Sequence, residues 1–441
     1  MFFYDAHCHV MNLRHPNLSA VINRYLGESS RCSRLKIGLV LLLSSLPFAK
    51  NLLLKITNAD DRLKNLLAIM ETPLGDGLLQ MEEDLKKRLW DNGIFIPGNP
   101  SAYEKLFLVP LLIDFAKRGF ENRDSKMIYS VRWKPMADQV RDVCLGIADY
   151  YRYKSFQKES PLFEIHPFMG LNPLIYNLDP DNAADNTLTL KQVLDKYFLE
   201  FNALQSSHDR RQLILDYDWT TFYGDINTLS KNAFLGIKVY PPTGFNPWPM
   251  NKQEEEAMKP YQGLDKLNTF YSYCVGKNIP ITAHCSNGGF LSDAAFTDYA
   301  NPVRWKSALD HYPDLRLNLA HFGYDDNDKS CMLQLFAEDS WRRTAADLAC
   351  RYDNVYVDIS YRGVDPAYYV ELNELLISLT DSQQKKLLDK IIFGSDFMIN
   401  LMSIDSYSEY MKKFQDSPLN TEMKDRLCRN NPERFLHIVD Y

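Results

Sequence analysis

The chain has 441 residues, of which 45% are hydrophobic, and its 57 acidic and 50 basic side chains give a formal charge of −7. This length suffices for one large core or two ordinary ones, and the negative balance without a long basic run argues against a nucleic-acid-binding surface. The eight cysteines form no Cys-x-x-Cys pair, which predicts reduced thiols and a cytoplasmic protein.

The first apolar run ends in a His-x-His pair, within Asp5-Ala6-His7-Cys8-His9. Side chains alternate along a strand, so His7 and His9 share a face at a spacing of roughly 6–7 Å along the backbone. Two imidazoles on one face can bind one cation, provided that the terminal strand is held in the core. The pair therefore predicts a metal site, and the alternative is two polar residues on a loop. Asp5 and His7 also interrupt the run before it could serve as a signal peptide.

Residues 12–104 separate the first predicted strand from the second and are interpreted as a long insertion. The apolar stretch 37–49 within it contains two serines and a proline and is shorter than the roughly 18–20 residues of a membrane span. Its strand-like part, residues 37–43, is assigned to the insertion. Residues 60–90 are helix-periodic, with Leu63, Leu66, Leu67 and Met70 on one face. We expect either a lid over the site or a helical pair that only supports the core.

Short apolar runs typical of buried parallel strands alternate with helical patterns, most regularly in the second half of the chain. The predicted strands are Phe2–Ala6, Phe107–Phe115, Phe163–Gly170, Phe234–Tyr240, Ile279–Ala283, Leu315–Ala320, Val355–Ile359 and Ile391–Phe393. The predicted helices include Met136–Tyr150, Leu190–Leu204, Leu264–Lys277, Pro302–His311, Ser330–Arg351, Pro366–Leu379 and Ser403–Phe414. Eight strand–helix units predict an α/β (β/α)8 TIM barrel with one domain over residues 1–441. A doubly wound sheet is the competing architecture.

Four later strands carry an ionisable side chain at or near their carboxyl ends. These are Lys238 on the fourth strand, His284 after the fifth, His321 after the sixth and Asp396 after the eighth. A (β/α)8 protein builds its site from these ends. One strand-end histidine is more often a satisfied core residue, but four histidines, an aspartate and a lysine at one barrel mouth predict a metal centre.

On these residues the chain resembles the amidohydrolase superfamily of metal-dependent barrels, and within it the amidohydrolase-2 branch. The resemblance extends to Asn431-Pro432-Glu433-Arg434-Phe435, which is similar to the closing helix of that branch. It implies that the metal ligands are His7, His9, His284 and Asp396. For His321 it implies either a ligand of a second metal or a catalytic histidine.

The segment Gly236-Ile237-Lys238-Val239-Tyr240-Pro241 is similar to the fourth strand of dihydroorotase-type members, whose lysine is carboxylated and bridges two metals. Many amidohydrolase-2 members hold one metal and lack that bridge, so the two motifs imply different metal counts. A buried lysine must lose its charge or find a partner. Lys238 is therefore expected either as a carboxylated metal ligand, or in a salt bridge, or in a hydrogen bond to substrate.

Imidazoles with a carboxylate suit Zn²⁺, with Mn²⁺ or Fe²⁺ as alternatives, in one or two copies. Zinc lowers the pKa of a bound water to about 7, which supplies hydroxide at neutral pH. Asp396 is expected to act as general base and then acid, and His321 to polarise the scissile carbonyl. Arg362 and Tyr240 are expected to bind substrate, with a surface-loop arginine as the alternative for the former.

The predicted function is metal-dependent hydrolysis of an amide, lactone or related C–N or C–O bond in a small molecule. The alternative is a decarboxylase that binds an aromatic or unsaturated acid on one metal, and the third hypothesis is a metal-binding protein without turnover. The expected partner is a small-molecule substrate, with neither nucleic acid nor membrane, and a homo-oligomer is left open.

Overall fold

The computed structural model describes residues 1–12, 15, 61–90, 103–114, 136–179, 188–201, 206–291, 294–325 and 340–438. The strand-like stretch 37–43 and part of the predicted helix Ser330–Arg351 lie outside these residues. Within them, no helix is both long enough and apolar enough to span a membrane.

Nine strands in the described residues form two parallel sheets, one with the order β1-β2-β3 and one with the order β4-β5-β6-β7-β8-β9. Their bounds are β1 (Phe2–Cys8), β2 (Lys105–Pro110), β3 (Phe163–Ile165), β4 (Phe168–Gly170), β5 (Gly236–Val239), β6 (Ile281–Ala283), β7 (Leu317–Leu319), β8 (Val355–Asp358) and β9 (Ile391–Ile392). Nearly every residue of these strands is buried, as expected for parallel strands covered on both faces.

The predicted strand Phe163–Gly170 is interrupted, so the expectation of one continuous strand there was wrong. Pro167 has no backbone N–H for the ladder, and proline also restricts the residue before it, so the strand breaks at His166-Pro167 into β3 and β4. The two sheets remain joined at this point, because Leu111 beyond β2 forms a parallel bridge with Phe168. The two pieces therefore occupy one of eight strand positions.

The last and first strands are also joined by backbone hydrogen bonds. Ala6 N donates to Phe393 O at 3.1 Å, and Ser395 N donates to His7 O at 3.0 Å. Hydrogen bonding therefore runs around all eight positions, and the fold is the predicted α/β barrel. The joint places the residues that follow β9 directly beside the His-x-His pair of β1.

The helices of the described residues surround these strands, and most predicted helices are confirmed with ends that shift by a few residues. Their bounds are α1 (Asp61–Glu71), α2 (Leu74–Leu85), α3 (Met136–Gln157), α4 (Leu190–Phe198), α5 (Ser207–Leu215), α6 (Lys252–Met258), α7 (Gly263–Gly276), α8 (Val303–His311), α9 (Trp341–Arg351), α10 (Ala367–Ser378), α11 (Asp381–Leu388), α12 (Tyr407–Gln415), α13 (Thr421–Asp425) and α14 (Asn431–Phe435).

Side-chain caps set several of the helix starts. Thr189 before α4 and Thr380 before α11 each form a capping box with a glutamine three residues later. Ser340 before α9 and Ser406 before α12 accept a hydrogen bond from the third following residue. Each cap satisfies a backbone N–H that the helix itself leaves free.

The two insertion helices, α1 and α2, follow β1, as predicted, and α2 packs closely on α3. A Cβ on Gly146 of α3 would lie only 2.5 Å from Leu74 Cβ of α2, so only glycine allows this approach. Glu82 of α2 forms an ion pair with Lys154 Nζ of α3 at 2.7 Å. The described part of the insertion is therefore fixed to the barrel by packing and by charge.

The closing helix α14 contributes an aromatic side chain to an apolar cluster with residues of the strands. The Phe435 ring lies 5.5 Å from the Tyr356 ring of β8 and 6.2 Å from the Phe168 ring of β4. Tyr4 and Ala6 of β1 belong to the same buried cluster. The ionisable side chains follow the carboxyl ends of the strands, so apolar packing and candidate chemistry are separated along the strands.

Candidate metal centre

Asp396, which follows β9, lies against both histidines of the His-x-His pair. Its Oδ1 atom is 3.1 Å from His9 Nε2 and 3.4 Å from His7 Nε2. The side chain of Asp396 is 8% exposed, and those of His7 and His9 are 0% and 4% exposed. The hydrogen bonds between β1 and the segment after β9 explain this contact between residues almost 390 positions apart in sequence.

His321, after β7, completes the group. One ligand atom each from His7, His321 and Asp396 lies within 4.8 Å of the others. His284, after β6, stands beside this trio, with its Nδ1 3.1 Å from His321 Nε2 and its Nε2 2.9 Å from the carbonyl oxygen of Gly288. The structure thus brings together all four predicted histidines and the aspartate.

The donor set fits a divalent cation. His7 Nε2 is buried, and no hydrogen-bond partner for it occurs in the described part of the chain, although it lies close to Asp396. An unsatisfied buried nitrogen is costly unless a ligand completes it. Three imidazoles within reach of one carboxylate form a set typical of zinc, manganese and iron sites. The residues that could hold the ion are His7, His9, His284, His321 and Asp396.

Burial favours the neutral form of His7, His284 and His321 by lowering the pKa of each. It lowers the pKa of His7 to about 3, and the charge of Lys238 acts in the same direction. Burial also lowers the pKa of His284, with a contribution from His321, and burial is the largest cause of the lowered pKa of His321. Neutral imidazole is the form that binds a metal, so no proton has to be displaced near neutral pH.

The carboxyl group of Asp396 is ionised. Burial alone would raise its pKa, but the hydrogen bond from His9 and the interactions with His321 and His7 bring the pKa below its ordinary value. Asp396 also lines the large cavity described below. The group can therefore bind a cation and accept a proton from a molecule in that cavity.

Asp358, the last residue of β8, holds three parts of the centre and was missed by the sequence-based prediction. Its Oδ2 lies 2.8 Å from His7 Nδ1 and 2.7 Å from Asn318 Nδ2, and its Oδ1 accepts the backbone N–H of His321 at 2.9 Å. A carboxylate at Nδ1 fixes the proton there and leaves His7 Nε2 free for a metal. The sequence signal that could have identified Asp358 is a polar residue at the end of a predicted strand, as at the proposed ligands.

Ser360 extends this support. Its Oγ lies 3.0 Å from His7 Nδ1 and 2.9 Å from His321 Nδ1, and its backbone N–H donates to Asp358 Oδ1 at 3.1 Å. Burial acts to raise the pKa of Asp358, but the interactions with His7, His321 and Ser360 hold it well below its usual range. Asp358 is therefore a fixed anion that orients both histidines.

Three residues at the strand ends adopt left-handed backbone conformations. His321 has φ 60°, Asp396 has φ 59° and Tyr361 has φ 64°. Each such conformation costs on the order of 1–3 kcal/mol for a residue with a side chain, and it persists where the surroundings impose it. At His321 the imposed contact is the hydrogen bond from its N–H to Asp358.

Lys238 lies on β5 and pairs in register with Thr282 of β6. Its side chain is 1% exposed, and in the described residues its Nζ has no hydrogen-bond partner. Burial lowers its pKa to about 8, while Asp358 and Asp396 oppose the shift. None of the ion pairs in the described part of the chain involves Lys238, so the salt-bridge alternative finds no support there. Its role as a metal ligand stays a prediction.

Tyr240 contacts His284 instead of the cavity. Its ring stacks on the His284 ring with centroids 4.3 Å apart, and its hydroxyl accepts the backbone N–H of Phe290 at 2.8 Å. Gly289 has φ +88°, and a Cβ there would lie 2.1 Å from the Tyr240 hydroxyl oxygen. Tyr240 is absent from the described residues that line the cavity. The predicted contact with substrate therefore stays a prediction, and the geometry places Tyr240 as a support for His284.

A cavity of about 470 Å³ opens onto the centre. His284, His321 and Asp396 line it, and so does Arg362. The Arg362 guanidinium lies 3.5 Å from the centroid of the Tyr324 ring, and its Nε has no hydrogen-bond partner among the residues described. This volume is within the range of small-molecule sites, roughly 300–1,000 Å³.

Residues 226–438 match the family model Amidohydro_2, described as "Amidohydrolase". The match contains Lys238, His284, His321 and Asp396, whereas the His-x-His pair lies before it. No curated protein matches the chain.

Solved structures with remote similarity include three that cover most of the chain. An uncharacterised TIM-barrel protein from Bordetella bronchiseptica is 16% identical, with 86% of this chain and 91% of that chain covered and a TM-score of 0.39. A probable 2-pyrone-4,6-dicarboxylic acid hydrolase from Acinetobacter baumannii, with citric acid bound, is 12% identical, with 99% of both chains covered and a TM-score of 0.45. A dihydroxybenzoic acid decarboxylase from a Polaromonas species, with manganese and 2-nitroresorcinol, is 10% identical, with 87% and 91% covered and a TM-score of 0.40.

The family match covers four of the six predicted ligand positions, and the barrel brings the other two beside Asp396. The family is one of metal-dependent enzymes, and the His7–His321–Asp396 trio fits a divalent cation. Residues 226–438, just under half of the chain, are thus similar to the amidohydrolase family.

Proposed function

We propose that this protein is a metal-dependent hydrolase that cleaves an amide, lactone or related C–N or C–O bond of a small molecule. The observation that carries the proposal is Asp396, an ionised and buried carboxylate that contacts His7 and His9 and also lines the cavity. One group in this position can serve both the metal and the substrate. A structural metal site would instead close its coordination sphere with protein ligands.

The proposed ligands are His7, His9, His284, His321 and Asp396, and Lys238 is considered below. We propose Zn²⁺ as the ion, with Mn²⁺ or Fe²⁺ as alternatives. When bound, such a cation supplies a Lewis acid that polarises a substrate oxygen and makes water a stronger acid.

The side chains have separate tasks in the proposed reaction. Asp396 accepts a proton from the attacking water through a carboxylate oxygen and returns it to the leaving nitrogen or oxygen. His284 and His321 also line the cavity. His321, where it does not bind the ion, polarises the scissile carbonyl as negative charge develops on its oxygen. Arg362 holds a substrate carboxylate through its guanidinium.

We further propose that Lys238 becomes a metal ligand after carboxylation. The ammonium first loses one proton to solvent, and the neutral Nζ then attacks CO2. An N–C bond forms as one C–O π bond opens, and a second proton passes from the nitrogen to solvent, which leaves an anionic carbamate. Support comes from its lack of a partner in the described residues and from a pKa of about 8, which leaves neutral amine available near neutral pH. Labelled bicarbonate with ¹³C NMR measures this adduct, and a free Lys238 in metal-loaded protein would contradict it.

The second candidate is a decarboxylase that needs one metal and a protonating acid. It is favoured by a specific observation: the described residues contain a single trio of close ligand atoms, at His7, His321 and Asp396. In this reading Lys238 stays unmodified, and Arg362 or the metal holds the carboxylate of an aromatic or unsaturated acid.

Metal analysis together with a substrate panel separates the two reactions. Purified protein is analysed for zinc, manganese and iron, and then assayed against lactones and N-acyl amino acids in parallel with hydroxybenzoates. Two metals per chain with hydrolysis of a lactone or amide support the hydrolase. One metal with release of CO2 supports the decarboxylase, and neither activity with a fully loaded site supports a metal-binding protein without turnover.

We also propose a single domain, 1–441, that acts in the cytoplasm. The six cysteines in the described residues are free thiols, which suits a reducing compartment. Analytical ultracentrifugation decides between a monomer and the homo-oligomer that the sequence leaves open.

A further inference from the structure

The insertion supplies part of the cavity wall above the candidate metal centre. Leu66 and Met70 of α1 line the same cavity as His284, His321 and Asp396. They are four residues apart on one helix, so both side chains lie on the same face. Two apolar side chains from outside the barrel therefore face the site where the chemistry is proposed.

This apolar surface is larger than α1 alone. Helix α1 packs on the short helical turn Ile399–Met402, which begins three residues after Asp396. Ile399 and Met402 also line the cavity. We name Leu66, Met70, Ile399 and Met402 the insertion wall. It borders the cavity that Asp396 and Arg362 also line.

The described part of the insertion is a fixed part of the protein. Leu66 is 1% exposed and Met70 is 2% exposed, as in a packed core. Helix α2 is held on α3 by the close approach at Gly146 and by the Glu82–Lys154 ion pair. The wall therefore has a set position and can limit the shape of a substrate.

The cavity is also lined by a cation, Arg362, that has no ion-pair partner among the described residues. The Tyr324 ring lies against one face of the guanidinium. A partly buried cation of this kind favours an anionic ligand group, and a carboxylate matches its geometry.

We propose that Leu66 and Met70 are specificity-determining residues, and that the substrate is a compact carboxylate with an apolar group that packs on the insertion wall. The proposal of a carboxylate depends on the proposed function, in which Arg362 binds that group. The proposal of an apolar group depends only on the insertion wall. The described helices of the insertion, α1 and α2, thus act as a fixed selector for the apolar part of the substrate.

Binding of a graded series of acids to the zinc-loaded protein tests this proposal. The probes are benzoate, para-ethylbenzoate and para-tert-butylbenzoate, measured by isothermal titration calorimetry. Affinity is expected to rise along the series as more apolar surface reaches the wall. Met70→Gln keeps the side-chain length but makes it polar. It should lower the affinity for para-tert-butylbenzoate by about tenfold, the lower end of the effect of one methylene in an apolar pocket. The affinity for benzoate should stay unchanged.

The matched control is Met81→Gln, because Met81 is buried in α2 of the same insertion but is not among the residues that line the cavity. It should lower stability without changing the ratio of the two affinities. Met70→Leu keeps an apolar wall and should retain the preference, which protects the test if Met70→Gln folds poorly. Circular dichroism and zinc content are measured for every variant.

Three results would overturn the proposal: no gain in affinity along the series, equal losses for both acids in Met70→Gln, or the same change in Met81→Gln. Arg362→Gln should lower the affinity for all three acids and leave the ratios of these affinities unchanged. These are binding measurements, so the ratio of the affinities for para-tert-butylbenzoate and benzoate does not depend on whether the protein is a hydrolase. The two proposals can therefore fail separately.

Discussion

Two groups of largely buried ionisable side chains in this protein differ in how they are paired. The first is the barrel-mouth centre of His7, His321, Asp396 and Lys238. The second, which we name the insertion clamp, consists of Glu82, Lys86, Tyr150 and Lys154 between α2 and α3. In the clamp, Glu82 forms ion pairs with both lysines and accepts the Tyr150 hydroxyl. Lys154 forms a second pair with Glu159 at 2.9 Å.

The barrel-mouth centre is not paired in this way. His7 Nε2 and Lys238 Nζ are both buried and have no hydrogen-bond partners in the residues described. Burial lowers the pKa of His7 to about 3 and that of Lys238 to about 8, whereas in the clamp the pKa of Lys154 is raised because its interactions with Glu82 and Glu159 outweigh burial. Charges held in close ion pairs are typical of a structural cluster, whereas good ligand atoms without such pairs indicate that a ligand is needed.

Removal of the metal should have the largest effect on turnover, because the barrel-mouth centre, unlike the insertion clamp, needs a ligand. A strong chelator is expected to abolish turnover, and added Zn²⁺ or Mn²⁺ should restore it, because three imidazoles and a carboxylate remain in place to rebind the ion. The measurement is activity against metal content after dialysis, with chelator already saturated with zinc as the control. Activity that survives full removal of metal would show that the centre is not catalytic.

The substitution Asp396→Asn should have the next largest effect on turnover. The amide cannot accept the proton from water, so kcat should fall by about 10²–10⁴-fold, the usual range for the loss of a general base. Much of the metal should remain bound, because the histidines are unchanged. The measurements are kcat, zinc content and circular dichroism, with Asp347→Asn on the exposed surface of α9 as the matched control. Wild-type turnover in Asp396→Asn would refute the role assigned to this carboxylate.

The ligand positions could be predicted from sequence because parallel strands deliver their carboxyl ends to one edge. His7, His284, His321 and Asp396 each follow a recognisable apolar run, so their convergence needed only the strand count. Asp358 also ends such a run, but its function depends on contacts with His7 and Asn318 on two other strands. Spacing along one strand does not reveal which neighbouring side chains a carboxylate will meet.

The packing of the insertion could not be predicted from the sequence for the same reason. Its helical period predicted that Leu66 and Met70 share an apolar face, but a period does not state what that face packs against. Their place beside the metal centre follows from the docking of α1 on Ile399–Met402, a contact across more than 300 residues. The break at His166-Pro167, in contrast, had a signal in the sequence that the strand prediction did not use, since proline cannot continue a strand ladder.

Asp358→Asn should have a smaller effect than Asp396→Asn. The amide cannot accept all the donors that the carboxylate holds, so His7 and His321 lose their fixed orientation. Metal affinity should fall by about 10–100-fold, the usual cost of removing a partner of a metal-binding histidine. Competition with a chelating dye measures it. Asp365→Asn, on the exposed loop after the same strand, is the control, and equal affinity in the two variants would mean that Asp358 does not orient the ligands.

Lys154→Met should have the smallest effect on the metal centre, because it breaks the insertion clamp alone. Glu82 then keeps Lys86 but loses its buried partner, which should lower the free energy of unfolding by about 1–3 kcal/mol. Replacing Glu82 as well, by methionine, should recover part of this loss, since the uncompensated charge is then gone. Urea unfolding measures stability and the dye competition measures zinc affinity. A fall in zinc affinity comparable to that of Asp358→Asn would contradict the separation of structural from functional charges, because it would show that the clamp also holds the ligands.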